Sequence, residues 1–381
     1  MTEKLYYQDP YLFSFTATVR SCDPLGDGYA VVTDRTAFFP EEGGQYADTG
    51  LLSGIPVLDV QEKNGEILHL LSAPLPVGAS VVGQIEEKQR LRKMQNHTGE
   101  HIVSGLFHSL YGLSNVGFHL GHDDVTIDLD GELSREDLCK VEYLANEAIW
   151  KNLPVRAEFP SPEVLSTLDY RSKLELTQNV RIVTIPGYDV CACCAPHVAY
   201  TGEVGQIKLL DFARYKGGVR IHMLCGMDAL ADYHGRYLAT AAISAKLTAP
   251  QKEVVDAVER LAADLQEKKA QIARLQAALA DELLRALPDG DTPALFFEDR
   301  LDTPARRALV NGAAEKRPLA ALFAGNDETG YTFLLGSNSI DLRPFVKALT
   351  NALGGKGGGS ATMVQGTLPT QRADIEEYLN K

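Results

Sequence analysis

The first 85 residues alternate apolar and polar side chains in short runs, LFSFTATVRSC, YAVVTD and ASVVGQIEE, separated by Gly, Pro and Asp. A period of two bounded by turn residues predicts strands, and several in so short a stretch predict a small β-barrel over residues 1–85. From residue 86 to 112 the period changes: Ile102, Val103, Leu106 and Leu110 follow the three-and-four spacing of a helix, behind a strongly polar first part. VGFHLGHDDVTIDLDG returns to alternation. Ser134, with Asp137 three residues on, is then the N-cap signature of a helix reaching to about Asn152. VRIVTIP, EVGQIKLLDFARY and GVRIHMLCG read as further strands, so residues 86–235 are expected to form an α+β domain.

Pro250 breaks the chain, and no Gly or Pro follows until Pro288. Across that stretch Val254, Val258, Leu261, Leu265, Lys268, Ile272, Leu275 and Leu279 step by four and three, the seam of a coiled-coil-like helix interrupted at Lys268. Such a helix spans about 55 Å. Within a helical linker assigned to residues 236–289, it either spaces two globular parts, the preferred role, or pairs with a second copy in a homodimer. Residues 290–381 mix ALFFED, LAALFAG and YTFLLGS with the helical RPFVKALTNAL and read as a C-terminal α/β domain. The overall class is α+β.

Composition narrows the function classes. The 381 residues carry 37 Lys and Arg against 51 Asp and Glu, a net charge of -14, and 45% are hydrophobic. That is the make-up of a soluble globular chain, and its acidity weighs against nonspecific nucleic-acid binding. Two local basic clusters stand out against it: Lys88, Arg90, Arg92 and Lys93, then Lys208, Arg214, Lys216 and Arg220. Each is readable as a phosphate-binding patch or as solvated charge. No apolar run approaches the ~18 residues of a membrane span, and MTEKLYYQDPYLF is not a signal peptide, so the expected location is the cytoplasm, with no membrane partner. Of the six cysteines, Cys191, Cys193 and Cys194 cluster, which in a reducing compartment points to metal rather than disulfides.

The chemistry concentrates in two pairs. His97 and His101 lie at i and i+4, one helical turn apart, and Cys193 and His197 repeat the interval across a Pro-containing loop. One thiolate and three imidazoles favour Zn²⁺, one ion per chain, over oxygen-seeking Mg²⁺ or Ca²⁺. Cys191 and Cys194 are within reach of the same loop; Cys193 is preferred on its spacing to His197. HTGEH also fits H-x-x-E-H, in which Glu100 would be the general base of a metallopeptidase. That alternative leaves the Cys193 and His197 pair without a role. Gly43 and Gly44, before Gln45, allow close backbone approach to a ligand or neighbouring domain, or simply a tight hairpin. Gly357 and Gly358, beside Lys356 in GGKGGGS, read as an anion-cradling nest or as a loop without a ligand.

These motifs together are those of a known family. FFPEEGGQYADTG (38–50), NHTGEH (96–101), GFHLG and TIDL (117–129), CCAPHV (193–198), GGVRIHMLCG (217–226) and GGKGGGSATMVQG (354–366) occur in its order. The chain resembles, over nearly its whole length, the freestanding alanyl-tRNA editing proteins AlaX in their long form, which are similar to the editing and C-terminal domains of alanyl-tRNA synthetase. The resemblance implies hydrolysis of the ester joining a wrong amino acid to tRNA(Ala), above all serine, with glycine second, and without ATP. A synthetase pocket shaped for a methyl group rejects an added hydroxyl by only ~10²-fold, so a second sieve is needed.

By the same resemblance His97, His101, Cys193 and His197 are the zinc ligands, and Glu100, Thr98 and His119 are catalytic candidates. Gln45, Gly43 and Gly44 contact the editing domain or tRNA, Thr126 lines the pocket, and Arg220, Lys356, Gly357 and Gly358 bind tRNA. Glu100 stands where the synthetase often has Thr, and CCAPH replaces its CGGTH. The C-terminal domain resembles the synthetase tail, which would make it a second grip on one tRNA. With no aminoacylation core before residue 1, the expected role is correction without charging. The remaining alternative is a noncatalytic tRNA-binding module with structural zinc.

Overall fold

Strand alternation decides the N-terminal architecture. The strands there are β1 (Glu3–Lys4), β2 (Ser14–Leu25), β3 (Gly28–Thr33), β4 (Arg35–Thr36), β5 (Gly50–Leu52), β6 (Ile55–Lys63), β7 (Glu66–Leu71) and β8 (Ser80–Ile85). In β8, Val81, Gly83 and Ile85 are buried and their neighbours exposed, and Phe15, Ala17 and Val19 of β2 do the same. Six strands close into a barrel in the order β2-β3-β7-β6-β5-β8, with Phe38, Leu52, Val60, Ile67 and Leu71 in its core. The computed structural model describes residues 1–121, 125–172 and 179–380, so positions 122–124 of the expected alternating run lie outside the described residues. It divides into two units, Met1–Ala239 and Thr240–Lys381.

One polar member of the barrel core makes its stability depend on pH. His69 is fully buried, its Nδ1 3.0 Å from Val31 O and its Nε2 2.9 Å from Thr36 Oγ1. Burial disfavours the imidazolium and brings its pKa down to about 4. The unfolded chain therefore takes up a proton near pH 6.5 that the folded barrel refuses until about pH 4. This contribution is complete above pH 6.5 and is lost as the pH falls toward 4. Urea unfolding at pH 7 and pH 5 should show wild type losing about 2 kcal/mol more across that interval than His69→Gln. Equal losses would remove His69 from the account.

After the barrel come α1 (Glu87–Tyr111), β9 (Asn115–Leu120), β10 (Val125–Leu129), α2 (Arg135–Lys151), β11 (Arg156–Glu158), α3 (Pro162–Leu165), β12 (Ile182–Ile185), β13 (Asp189–Ala192), β14 (Ile207–Tyr215), β15 (Gly218–Cys225) and α4 (Gly226–Leu247). Helix α2 starts at a full capping box between Ser134 and Asp137 and stops at left-handed Asn152. One antiparallel sheet runs β14-β15-β10-β9 and a second β11-β12-β13. Helix α4 continues without a break across position 235, where the sequence pattern places a domain edge.

Helix α1 is buried far beyond its apolar stripe, because the barrel covers its first turns and the sheets its later ones. Gly99 and Gly105 set its distance: a Cβ on Gly99 would meet Cys225 Sγ at 2.3 Å, and one on Gly105 would meet Tyr188 O at 2.2 Å. Arg90 and Lys93, expected as a basic patch, have no exposed surface. Arg90 pairs with Asp48 Oδ2 and also donates to Pro10 O and Ala37 O, while Lys93 Nζ reaches Asp48 Oδ1 at 3.2 Å and Ala47 O at 2.6 Å. This triad joins barrel to helix. The second basic cluster is largely neutralised too, with Lys208 on Glu142, Arg214 on Glu132 and Arg220 on Asp128.

The second unit holds the end of α4, α5 (Val254–Ala286), β16 (Ala294–Phe297), α6 (Thr303–Lys316), β17 (Ala320–Asn326), β18 (Gly330–Gly336), α7 (Leu342–Leu353), β19 (Lys356–Gly359), β20 (Met363–Leu368) and α8 (Arg372–Leu379). Its sheet order is β16-β17-β18-β20-β19, parallel only between β16 and β17. The C-terminal turns of α5 pack through Leu279, Ala280, Leu283 and Leu284 on the core that includes α6, whereas Val258, Leu261, Leu265, Ile272 and Leu275 stay exposed. Lys356, Gly357 and Gly358 are not a looped nest. They lie in edge strand β19, paired with Thr367, Gly366 and Gln365, and a Cβ on Gly357 would sit 2.6 Å from Phe333 Cζ. Gly357 makes room for that ring, while a Cβ on Gly358 would meet nothing within 4 Å.

Candidate metal centre and its cavity

One turn of α1 and one loop after β13 bring four donors together. His97, His101, Cys193 and His197 place one ligand atom each within 4.8 Å of all the others. Cys193 Sγ is 3.5 Å from His97 Nε2 and 3.4 Å from His197 Nε2. All three imidazoles are buried, and each is gripped from behind at Nδ1. His97 Nδ1 meets Gln45 Oε1 at 3.0 Å, His101 Nδ1 meets Asp189 Oδ2 at 2.8 Å, and His197 Nδ1 meets Thr98 Oγ1 at 3.0 Å. With Nδ1 as donor in each, every Nε2 lone pair turns to the common centre, the arrangement of metal-binding histidines.

The hairpin Glu42-Gly43-Gly44-Gln45 delivers the first of these grips. Gly43 and Gly44 have φ of +64° and +82°, and a Cβ on Gly44 would stand 2.2 Å from Phe118 O. Only glycine permits that backbone against β9. Leu120 N then donates to Gly44 O at 2.8 Å, and Gln45 is carried, fully buried, to His97. Gly44 thus contacts the neighbouring sheet of the same unit, and Gly43 faces Cys194.

Asp189 is the residue that the sequence pattern did not single out. It holds His101 on one side and receives Arg171 Nε at 2.8 Å and Nη2 at 2.9 Å on the other. Its carboxyl group is held below the usual range: burial pushes the pKa up, but His101 and Arg171 outweigh it. His101 is raised well above its ordinary value, burial opposing and Asp189 prevailing. Burial likewise opposes ionisation of the Cys193 thiol, yet His97 and His197 bring it well below the usual thiol range. Burial lowers His197 to about 3, and raises Cys191 to about 11. Of these two thiols, Cys193, flanked by His97 and His197, is the more readily ionised.

A cavity of about 950 Å³ opens on the centre, lined by His97, His101, Cys193, Glu100, Arg171 and others. Glu100 is buried, accepts from Ser104 Oγ and Asn115 Nδ2 through Oε1, and keeps Oε2 4.0 Å from His101 Nε2. Ser104 stands four residues on, on the same helical face, a partner legible from spacing alone. Asn115 and Arg171 come from distant segments and carry no local signal.

Several expected site residues lie elsewhere. Thr98 does not line the cavity; it sits behind His197 and also accepts from Val198 N at 3.3 Å. His119 is exposed and Thr126, its cross-strand partner, is buried, and neither lines the cavity. Alternation in β9 explains this, since Phe118 takes the cavity side and so turns its neighbour away. Arg220 is also absent from the lining; it binds Asp128 at 2.7 and 2.8 Å and stacks 3.8 Å over the Tyr215 ring.

Helix, hairpin and loop thus converge on a histidine and cysteine centre beside a substrate-sized cavity. Residues 180–222, which include β12, β13 and the Cys193 loop, match the Threonyl and Alanyl tRNA synthetase second additional domain. The chain is 30% identical to alanyl-tRNA editing protein AlaX-L of Pyrococcus horikoshii, over 98% of its own length and 96% of that protein. It is 33% identical to the alanine–tRNA ligase of Pyrobaculum neutrophilum over its whole length but only 44% of the ligase, so it spans less than half of that relative. The C-Ala domain of Aquifex aeolicus alanyl-tRNA synthetase aligns with 25% of this chain and 96% of that chain at 16% identity and a TM-score of 0.21, too slight to carry a fold argument. The centre and cavity therefore lie in a protein related to the alanyl-tRNA synthetases. The chain belongs to the long-form alanyl-tRNA editing proteins, AlaX-L.

Proposed function

We propose that this chain hydrolyses the ester of misacylated tRNA(Ala), chiefly Ser-tRNA(Ala) and secondarily Gly-tRNA(Ala), in trans and at a zinc site. The observation that carries the reading is the four-donor centre with all three imidazoles oriented from Nδ1, set in the wall of the large cavity. The donors suit zinc: bonds of about 2.05 Å to nitrogen and 2.3 Å to sulfur at a tetrahedral angle put N and S about 3.6 Å apart. The 3.4 and 3.5 Å separations at Cys193 match that edge. When bound, the ion supplies fixed positive charge and Lewis acidity at the cavity wall.

The chain's own groups do the rest. Glu100 has one carboxylate oxygen tied to Ser104 and Asn115, so Oε2 is presented in a fixed direction. A carboxylate held there discriminates by hydrogen bonding: it can accept from the hydroxyl of serine, which alanine's methyl cannot offer. The same oxygen can orient a water toward the ester carbonyl and take its proton, the role of a general base. Arg171, at the cavity edge, keeps Asp189 charged and so keeps His101 in place.

The metallopeptidase alternative requires neither Cys193 nor His197, and the relatives do not favour it. The binding-module alternative predicts no turnover. Deacylation of Ser-tRNA(Ala) beside Ala-tRNA(Ala), by wild type and His101→Ala at equal concentration, separates the readings. Serine should be released from its tRNA and alanine retained, with His101→Ala at the spontaneous rate. Serine release no faster than in buffer, from zinc-loaded protein and folded tRNA, would remove the editing reading.

A further inference from the structure

The cavity is larger than its amino-acid cargo requires. About 950 Å³ lies at the top of the roughly 300–1,000 Å³ range of small-molecule sites, and a seryl group fills a small part of it. Five Phe and Tyr rings line this space, Tyr7, Phe118, Phe159, Tyr170 and Tyr188, and of these Tyr7 and Phe159 lie against each other.

Phe159 lines the cavity and is 51% exposed, so its ring is accessible from solvent. It follows β11 and is flanked by Pro160 and by Ser161, the N-cap of α3, so its backbone has little freedom. Its ring lies against Tyr7 with centroids 5.4 Å apart and planes at 72°. Tyr7 in turn is packed edge-on against Tyr6 at 4.7 Å and faced by the Arg181 guanidinium at 5.1 Å and by Lys4 Nζ at 5.6 Å. Arg181 is itself pinned by the carbonyls of Cys193 and Ala195, at 3.1 and 2.8 Å, so this backing is tied to the metal loop. The result is a rigid, half-exposed aromatic platform in the same cavity as the metal donors.

We infer that Phe159, backed by Tyr7, is the stacking platform for the 3′-terminal adenine of the tRNA, fixing the ester relative to the centre. The inference rests on the proposed deacylation, whose substrate ends in an adenosine ester. A flat π-face is what Phe159 recognises, and stacking on an aromatic ring needs no hydrogen-bond pattern.

The test uses uncharged tRNA(Ala) whose terminal adenosine is replaced by 2-aminopurine riboside, a base whose fluorescence falls on stacking. Wild type and Phe159→Tyr should quench it, and Phe159→Ala should not. With Ser-tRNA(Ala), Phe159→Ala should raise KM about 5- to 150-fold while kcat stays within about twofold and zinc content is unchanged. Retained quenching, an unchanged KM, or loss of zinc with the ring would overturn the assignment. Should wild type fail to release serine, the deacylation reading falls, while the quenching assay still judges the platform.

Discussion

Cys193→Ala is expected to purify with less than about a tenth of the zinc bound by wild type, and to lose at least about 100-fold in Ser-tRNA(Ala) deacylation. Cys193 is the only thiolate of the quartet, and it lies between two imidazole nitrogens at the edge length of a tetrahedral shell. Its removal takes away a full negative charge and the softest donor together, leaving a neutral three-nitrogen set. The residues behind the rings should act more mildly. Gln45→Ala frees His97 Nδ1 without touching a donor, and its expected effect is a 10- to 100-fold weaker metal affinity, roughly that of losing a ligand's orienting partner. Competition with a zinc-binding dye measures both variants. Full zinc in Cys193→Ala would transfer the thiolate role to Cys191 or Cys194, whose side chains line the same cavity.

Asp48→Ala should destabilise the N-terminal unit by about 3–5 kcal/mol in urea unfolding. Asp48 is 1% exposed and is shared by Arg90 and Lys93, neither of which has any exposed surface. Burial lowers Lys93 to about 8 even with Asp48 opposing that shift, so the ammonium is held in place chiefly by this one carboxylate. Without Asp48, the two buried cations keep only backbone carbonyls and, for Lys93, the Tyr46 ring 4.0 Å from Nζ, and Phe39 N loses its acceptor as well. In a Lys93→Met background the same Asp48 substitution should cost less, since one cation has gone; equal costs would show that the pair is not coupled. Because this triad joins the barrel to α1, the loss should also lower zinc affinity through the slackened first turns of the helix.

Much of this molecule follows from local rules. The two histidine and cysteine pairs at four-residue spacing, the Ser134 and Asp137 capping box, the alternating barrel strands and the uninterrupted helix after Pro250 are short-range patterns, and their physics acts within a turn or a strand. The likeness to alanyl-tRNA editing proteins is likewise carried by short motifs in order, and the AlaX-L relative spans the chain at 30% identity.

What the sequence by itself could not decide is where charge and side-chain direction end up once distant segments meet. Arg90 and Lys93 read as a surface patch because their counter-ion, Asp48, is more than forty positions away. Asp189 and Arg171 join His101 across gaps with no periodic trace, and Gln45 comes to hold His97 only when Gly44 abuts Phe118. His119 and Thr126 miss the cavity because a strand offers alternate faces, and only packing selects one. Of the glycines around Lys356, Gly357 turned out to make room for the Phe333 ring. Local sequence thus set the donor residue types and their spacing, while long-range packing, which decides burial and pairing, set what each polar group touches.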